Sequence, residues 1–178
     1  MPAVGNASLA VAALLSLLLS GAIFGFFYAW VCSTMWGLDT ADPRVAIAAM
    51  QAMNASVRNA VFAPAFFGTP LVLLATAALA ARARLRPAGL LFLAAAIVYL
   101  VGCMAPTMAV NVPMNEALAG QAVPEDPVRA KELWAAFSGR WQAWNTLRAV
   151  AAGLGLVLVG VALVLIPPNL SGARRACP

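Results

Sequence analysis

The sequence predicts an all-α fold, a four-transmembrane-helix bundle with extracytoplasmic amphipathic helical segments. Of its 178 residues, 63% are hydrophobic and only 10% charged, against about 25% charged in soluble domains. Four apolar runs, at residues 7–31, 61–81, 88–110 and 143–166, each approach or exceed the roughly 20 residues a helix needs to cross a hydrocarbon core. The arginines outside these runs are distributed unequally between the two sides. A single integral membrane domain over residues 1–178 accommodates all four spans.

That inequality sets the expected orientation. Arg82, Arg84 and Arg86 sit between the second and third runs and Arg174 and Arg175 follow the fourth, with no acid in either segment. Positive loops stay in the cytoplasm, so both termini are expected there, in a multi-pass protein of the inner (plasma) membrane. The two opposite segments balance their charges, Asp39 and Asp42 against Arg44 and Arg58, then Glu116, Glu125, Asp126 and Glu132 against Arg129, Lys131, Arg140 and Arg148. The basic pI of about 9.9 therefore reports orientation, and nothing supports a nucleic-acid partner. The first run is too long for a signal peptide, and no Lys or Arg precedes it, so it is expected to remain as a span.

Along the chain, Gly21 and Gly25 form a GxxxG pair, which is expected to pack helices closely within the monomer rather than to form a dimer face. The chain is expected to leave the membrane through Met35-Trp36-Gly37-Leu38. Asp42-Pro43 reads as an N-cap followed by Pro at the first helical position, starting an amphipathic helix to about Asn59. Gln51, Asn54 and Arg58 share one face of it, beside Ile47, Met50 and Met53. Pro64 and Pro70 flank Phe66-Phe67-Gly68-Thr69 in the second run, where freed carbonyls bend a helix, either as a packing kink or around a cavity. Pro106, Asn111, Pro113 and Asn115 predict an irregular exit from the third run, and 120–126 reads as a loop. From Pro127 a polar helix leads into the fourth run, and Trp134, Phe137, Trp141, Trp144, Asn145 and Arg148 follow helical spacing on it.

Arg148 lies about one turn inside the expected boundary, where a cation costs a few kcal/mol unless it snorkels or is partnered. It can reach the interface, pair with Glu116, or face a polar cavity. Trp141 and Trp144 also suit an interfacial belt. The three cysteines, Cys32, Cys103 and Cys177, have no metal-ligand spacing. Cys32 and Cys103 suit either a disulfide near the outer leaflet or burial as free thiols. Histidine is absent, which removes His-based acid catalysis, Ser-His activation and most zinc, copper and haem sites. The methionines, among them Met35, Met50, Met53, Met104, Met108 and Met114, suit gap-filling as well as Cu(I).

Taken in order, Gly21 and Gly25 with Tyr28, Met35-Trp36-Gly37-Leu38, Met50-Gln51 with Asn54, Phe66-Phe67-Gly68, Asn111-Val112-Pro113-Met114-Asn115, and the stripe from Trp134 to Arg148 resemble the anthrone oxygenase-like integral membrane family. The resemblance runs from about residue 10 to 165. It implies oxidation of an anthrone or similar hydrophobic aromatic by molecular oxygen as co-substrate, without metal or other cofactor. On that reading Trp141, Trp144, Phe66 and Phe67 wall the substrate pocket, with Tyr28, Gln51 and Asn54 lining it further. Arg148, Asn145, Asn111 and Asn115 bind the developing oxyanion and Glu116 accepts the proton, although Glu116 also suits a plain helix-start carboxylate. The expected partners are the lipid bilayer and the aromatic molecule, and a homo-oligomer is compatible. A non-catalytic scaffold subunit would use the same stripe for packing. A small-molecule exporter would normally need an intramembrane carboxylate for proton coupling, and none of the four runs has one.

Overall fold

The computed structural model describes residues 3–167, so Arg174, Arg175 and Cys177 lie outside the described residues. Those residues form helices joined by short connections, with no strand among them. Helix α1 (Ala3–Ala29) continues through a π-helical turn (Trp30–Thr34) into α2 (Met35–Thr40). Then come α3 (Pro43–Ser56), α4 (Phe62–Arg82) and α5 (Arg86–Tyr99). Two further π turns, Leu100–Met104 and Thr107–Asn111, carry α5 into α6 (Val112–Ala119), and α7 (Pro127–Val164) completes the chain. Four continuous stretches are long and apolar enough to cross a membrane: Ala7–Thr40, Phe62–Arg82, Arg86–Ala119 and Pro127–Val164. The expected four spans are thus present, and the protein is a multi-pass membrane protein.

The spanning helices form a ring in which α1 packs on α4, α4 on α5, α5 on α7 and α7 on α1. On α1 the buried positions are Leu9, Ala13, Ser16, Ser20, Ile23 and Phe27, alternating steps of four and three that keep one stripe inward. Leu14, Leu18, Leu90, Val150 and Val157 point outward and are exposed, as lipid-facing side chains should be. Ser16 and Thr76 bring their hydroxyls within 2.9 Å between α1 and α4, a polar contact of the kind that joins helices in lipid.

Small residues set the closest approaches, but not the pair expected. A Cβ on Gly21 or Gly25 would meet nothing within 4 Å, because the inward stripe of α1 runs through Ile23 and Phe27 and turns both glycines away. At Gly102 a Cβ would lie 2.4 Å from the Ala151 methyl, and at Gly153 it would lie 3.0 Å from the Phe24 ring. The turn between α4 and α5 is equally tight. The Leu85 amide donates to the Ala80 carbonyl and the Arg84 amide to Ala81, a Schellman-type close with Arg84 at φ 62° where Gly is usual.

Beyond the ring, on the side opposite Arg82, Arg84 and Arg86, a helical cap is built from α2, α3, α6 and the first turns of α7. Met35, Ala46, Ile47, Met50, Leu118, Ala130, Trp134, Phe137 and Trp141 form its buried core. Asp42 caps α3 as expected, accepting from the Arg44 amide at 2.9 Å. The Arg44 side-chain hydrogen bonds, with that amide, hold its carboxyl down to about 2. Asp126 caps α7 by accepting from the Val128 and Arg129 amides. Helix α7 has 38 residues, about 57 Å at ~1.5 Å per residue, so its first turns stand clear of a ~30 Å hydrocarbon core.

Two local expectations are corrected. Helix α3 stops at Ser56 rather than Asn59, because the Asn59 carboxamide accepts from the Val61 and Phe62 amides and opens α4 instead. The third span does not become irregular at Pro106 and Pro113. Widened π turns accommodate two residues that cannot donate to the carbonyl one turn back, and the helix runs on to Ala119. Cys32 is exposed and Cys103 is buried, and both thiols are free. Cys103 donates to the Arg148 carbonyl at 3.4 Å.

Candidate functional site

Where the ring meets the cap, the outer halves of all four spans enclose a cavity of about 1150 Å³. Ligand pockets usually occupy about 300–1,000 Å³, so this one has room for a polycyclic molecule. Seven rings line it: Phe26, Phe27 and Trp30 from the first span, Phe62, Phe66 and Phe67 from α4, and Trp141 from α7. The rings buttress one another, Phe26 on Phe62 at 4.7 Å between centroids, Phe62 stacked on Phe66 at 5.5 Å, and Trp30 against Trp141 at 5.0 Å.

Proline chemistry positions part of that wall. Pro70 lies inside α4 and has no N–H to give the Phe66 carbonyl one turn earlier. The Tyr99 hydroxyl of α5 supplies the missing donor at 2.8 Å. An unpaired carbonyl in hydrocarbon would cost several kcal/mol, so this bond anchors the Phe66 backbone and with it the ring beside it.

Arg148 lines the cavity and is only 5% exposed. Its Nη1 donates to Thr107 Oγ1 at 3.1 Å and its Nη2 to Asn145 Oδ1 at 3.0 Å. Asn145 is oriented by its own donation to the Phe27 carbonyl at 3.1 Å. The guanidinium carbon sits 4.6 Å from the centre of the Phe27 ring and 5.5 Å from that of Trp141. Cation–π contacts of this kind contribute about 0.5–2 kcal/mol, which offsets part of the burial cost while leaving the charge uncompensated. Its Nε has no partner.

Of the three readings of Arg148, facing a cavity holds and pairing with Glu116 does not. Glu116 binds Arg58 at 3.0 Å in an exposed ion pair, at the rim of the cavity. Arg148 does not snorkel either: it is held by neutral acceptors and ring faces.

Asn111 also lines the cavity and is 1% exposed, yet neither its Oδ1 nor its Nδ2 has a partner. Buried amides are nearly always satisfied, so these atoms are available to a polar group on a bound molecule. Asn115 links Trp141, whose Nε1 donates to it at 2.9 Å, to Asn54, whose Oδ1 accepts from it at 3.1 Å. One Asn54 donor atom, Nδ2, is left unpaired.

Of the sequence-predicted site residues, the cavity lining brings together Arg148, Asn145, Asn111, Asn115, Glu116, Asn54, Phe66, Phe67 and Trp141. Tyr28, Gln51 and Trp144 are not in that lining. Tyr28 is half-exposed and stacks on Phe24; one residue step turns a helix by about 100°, and Phe27 holds the inward position. Gln51 donates to the carbonyls of Leu118 and Gln121 at 2.8 and 2.9 Å and acts as a strap. Trp144 lies one turn past Trp141 on a partly exposed face.

Thr107, Phe26, Phe27, Trp30 and Phe62 line the cavity without having been singled out in the sequence. Asp39 was also overlooked: it accepts from Trp134 Nε1, Ser138 Oγ and Gln142 Nε2 at 2.9, 2.6 and 2.8 Å, tying α2 to three successive turns of α7. The 134, 138, 142 spacing marks one helix face and is the signal that would have found it. Among the described residues no three His, Cys, Asp or Glu side chains gather as a metal site would require.

No curated protein and no solved structure matches the chain. A family model described as anthrone oxygenase matches residues 57–158. That stretch is more than half of the sequence and holds α4 through most of α7, including Arg148, Asn145, Asn111, Asn115 and the aromatic wall of α4. By that match this multi-pass membrane protein belongs to the anthrone oxygenase family.

Proposed function

We propose that the cavity oxidises an anthrone or a similar flat, hydrophobic aromatic with molecular oxygen, Arg148 stabilising the substrate's anion. The observation that carries this reading is a buried guanidinium among aromatic faces with no acid against it. Such a cation attracts a delocalised anion, and donors set in advance at developing negative charge contribute about 2.7–4 kcal/mol each in comparable sites. Phe66, Phe67 and Trp141 offer ring faces to the substrate, and Asn145 and Thr107 orient the guanidinium. Asn111 supplies a further donor, with Asn115 and Asn54 behind it.

The anthrone methylene is flanked by two aromatic rings and conjugated to a carbonyl, so its loss of a proton gives an electron-rich enolate. Glu116 is the one carboxylate in the lining and receives that proton at the rim. The enolate passes one electron to O2, and the two radicals combine at the former methylene carbon as a hydroperoxide. Loss of water then leaves a carbonyl. The balance is CH2 + O2 → C=O + H2O, with both oxygen atoms reduced at the expense of one carbon. The arginines of the 82–86 turn favour a cytoplasmic placement of that end, which puts the cap and the cavity on the extracytoplasmic side.

Purified protein in detergent, supplied with an anthrone, is expected to consume one O2 per quinone formed, followed with an oxygen electrode and by quinone absorbance. A rate equal to that of protein-free detergent with every anthrone tried would reject this function and leave the scaffold role.

A further inference from the structure

We infer that the cavity opens sideways into the bilayer, between the first turns of α4 and residues 107–119, and that a phospholipid acyl chain occupies the opening until an apolar ligand displaces it. Oxidation of the ligand is not required for this.

The watery side of the cavity is roofed by α3, which is strapped to α6 and the residues after it at three successive points. Gln51 donates to the carbonyls of Leu118 and Gln121, Asn54 meets Asn115 at 3.1 Å, and Arg58 just beyond α3 meets Glu116 at 3.0 Å. These are the residues that share one face of α3. The whole face is therefore committed to holding the roof down.

No such closure exists at the membrane side. Helix α4 packs along α5 and α1, but no comparable packing joins it to Thr107–Asn111 or to α6. Past Pro106 the third span is no longer packed along α4. Val61 and Phe67 on one side of the gap and Met108 on the other line the cavity and are also 83%, 51% and 52% exposed. A residue that borders the cavity and faces outward marks an opening, and all three are apolar. Phe67 is five residues into α4, about 7–8 Å along the helix, so the opening reaches past the interface into hydrocarbon. An apolar opening that adjoins acyl chains gains dispersion contacts by admitting one, and the Val61, Phe67 and Met108 side chains that border it give water no polar partner.

The test uses the full chain in liposomes containing phosphatidylcholine with a diazirine at mid-acyl chain. After irradiation, adducts are located by mass spectrometry. Adducts are expected on the cavity-facing rings of Phe26 and Phe66 as well as on Val157 of the outer face of α7. Narrowing the gap with Met108→Trp should lower the cavity adducts several-fold and leave those on Val157 unchanged. Val61→Trp, at the most exposed of the three positions, provides an independent block should the first variant lose helicity. Adducts confined to outward-facing residues in the parent protein, or cavity adducts that persist at full yield in both folded variants, would overturn the lateral opening. Lipid labelling reads this directly, so a protein that fails to oxidise any anthrone can still pass or fail.

Discussion

Between the 82–86 turn and Arg148, the four helices meet through small residues. Gly102 faces Ala151, Gly153 faces the Phe24 ring, Gly89 approaches the Ala77 carbonyl, and Ala95 and Ala96 are fully buried. From Arg148 outward they meet through rings and amides, and α4 parts from the third span. At Gly102 the first region has no room for an added carbon and at Gly153 and Gly89 hardly any, while the second encloses about 1150 Å³. Helices in lipid have little hydrophobic drive to associate and depend on close contact. A bundle can therefore hold one end open when the other is packed to the backbone, with the cap supplying a second, separate core. The π turns stand where the two regimes join in the first and third spans, where helices commonly carry functional sites.

The largest expected effect lies at that junction. Arg148→Met should lower single-turnover quinone formation by about 10²–10³-fold, the loss typical of removing one preset donor at a developing anion. Stability should change little, because the cost of burying an unpaired charge is removed while Thr107 Oγ1 and Asn145 Oδ1 lose their donor. Arg148→Lys should fall between, keeping the charge but losing the planar fork that reaches Thr107 and Asn145 together. If Arg148→Met instead unfolds at lower denaturant and the residual folded protein turns over at the parent rate, the guanidinium is a packing element and the two regions differ only in density.

Next in size is a test of the tight end. In Gly102→Leu the first added carbon would already sit 2.4 Å from the Ala151 methyl, and overpacking commonly costs about 1–3 kcal/mol, occasionally more. The high end is expected here, since a methyl on a helix backbone cannot swing aside. Gly25→Leu, pointing into open space, should change stability by less than about 0.5 kcal/mol. Helicity followed through a denaturing detergent titration measures both. Equal losses would mean that the GxxxG face is covered, as in a dimer.

How far the sequence could be read follows the same division. Span number and the starts at Asp42-Pro43 and Asp126-Pro127 were legible because hydropathy and capping are local. The shared face of Gln51, Asn54 and Arg58 was legible as a face, but its use was not. Its partners lie on α6, whose helical register past Pro106 and Pro113 depends on π turns that the prolines disguise as a break. Arg148 stood out as a cation at depth, yet a charge suggests an acid, and Glu116 was the acid in view. The actual partners, the Phe27 ring and the Thr107 hydroxyl, carry no charge and come from two other spans. Tyr28 entered through the resemblance, and the one-residue step of about 100° that puts Phe27 inward instead depends on packing.

The smallest effect probes the hinge between the regions. Tyr99→Phe removes the hydroxyl that satisfies the Phe66 carbonyl without changing the ring. Intramembrane hydrogen bonds measure about 0.6 kcal/mol on average and up to about 1.7, so a loss near 1 kcal/mol is expected, together with a raised KM as the Phe66 wall loosens. The carbonyl is orphaned only because Pro70 has no N–H, so Pro70→Ala in the same chain should restore a backbone donor and recover most of the loss. A double-mutant cycle on stability isolates that coupling. Strict additivity of the two substitutions would show that the first turns of α4 are held by the surrounding rings instead, and the aromatic wall would then be the cause of the open region rather than its lining.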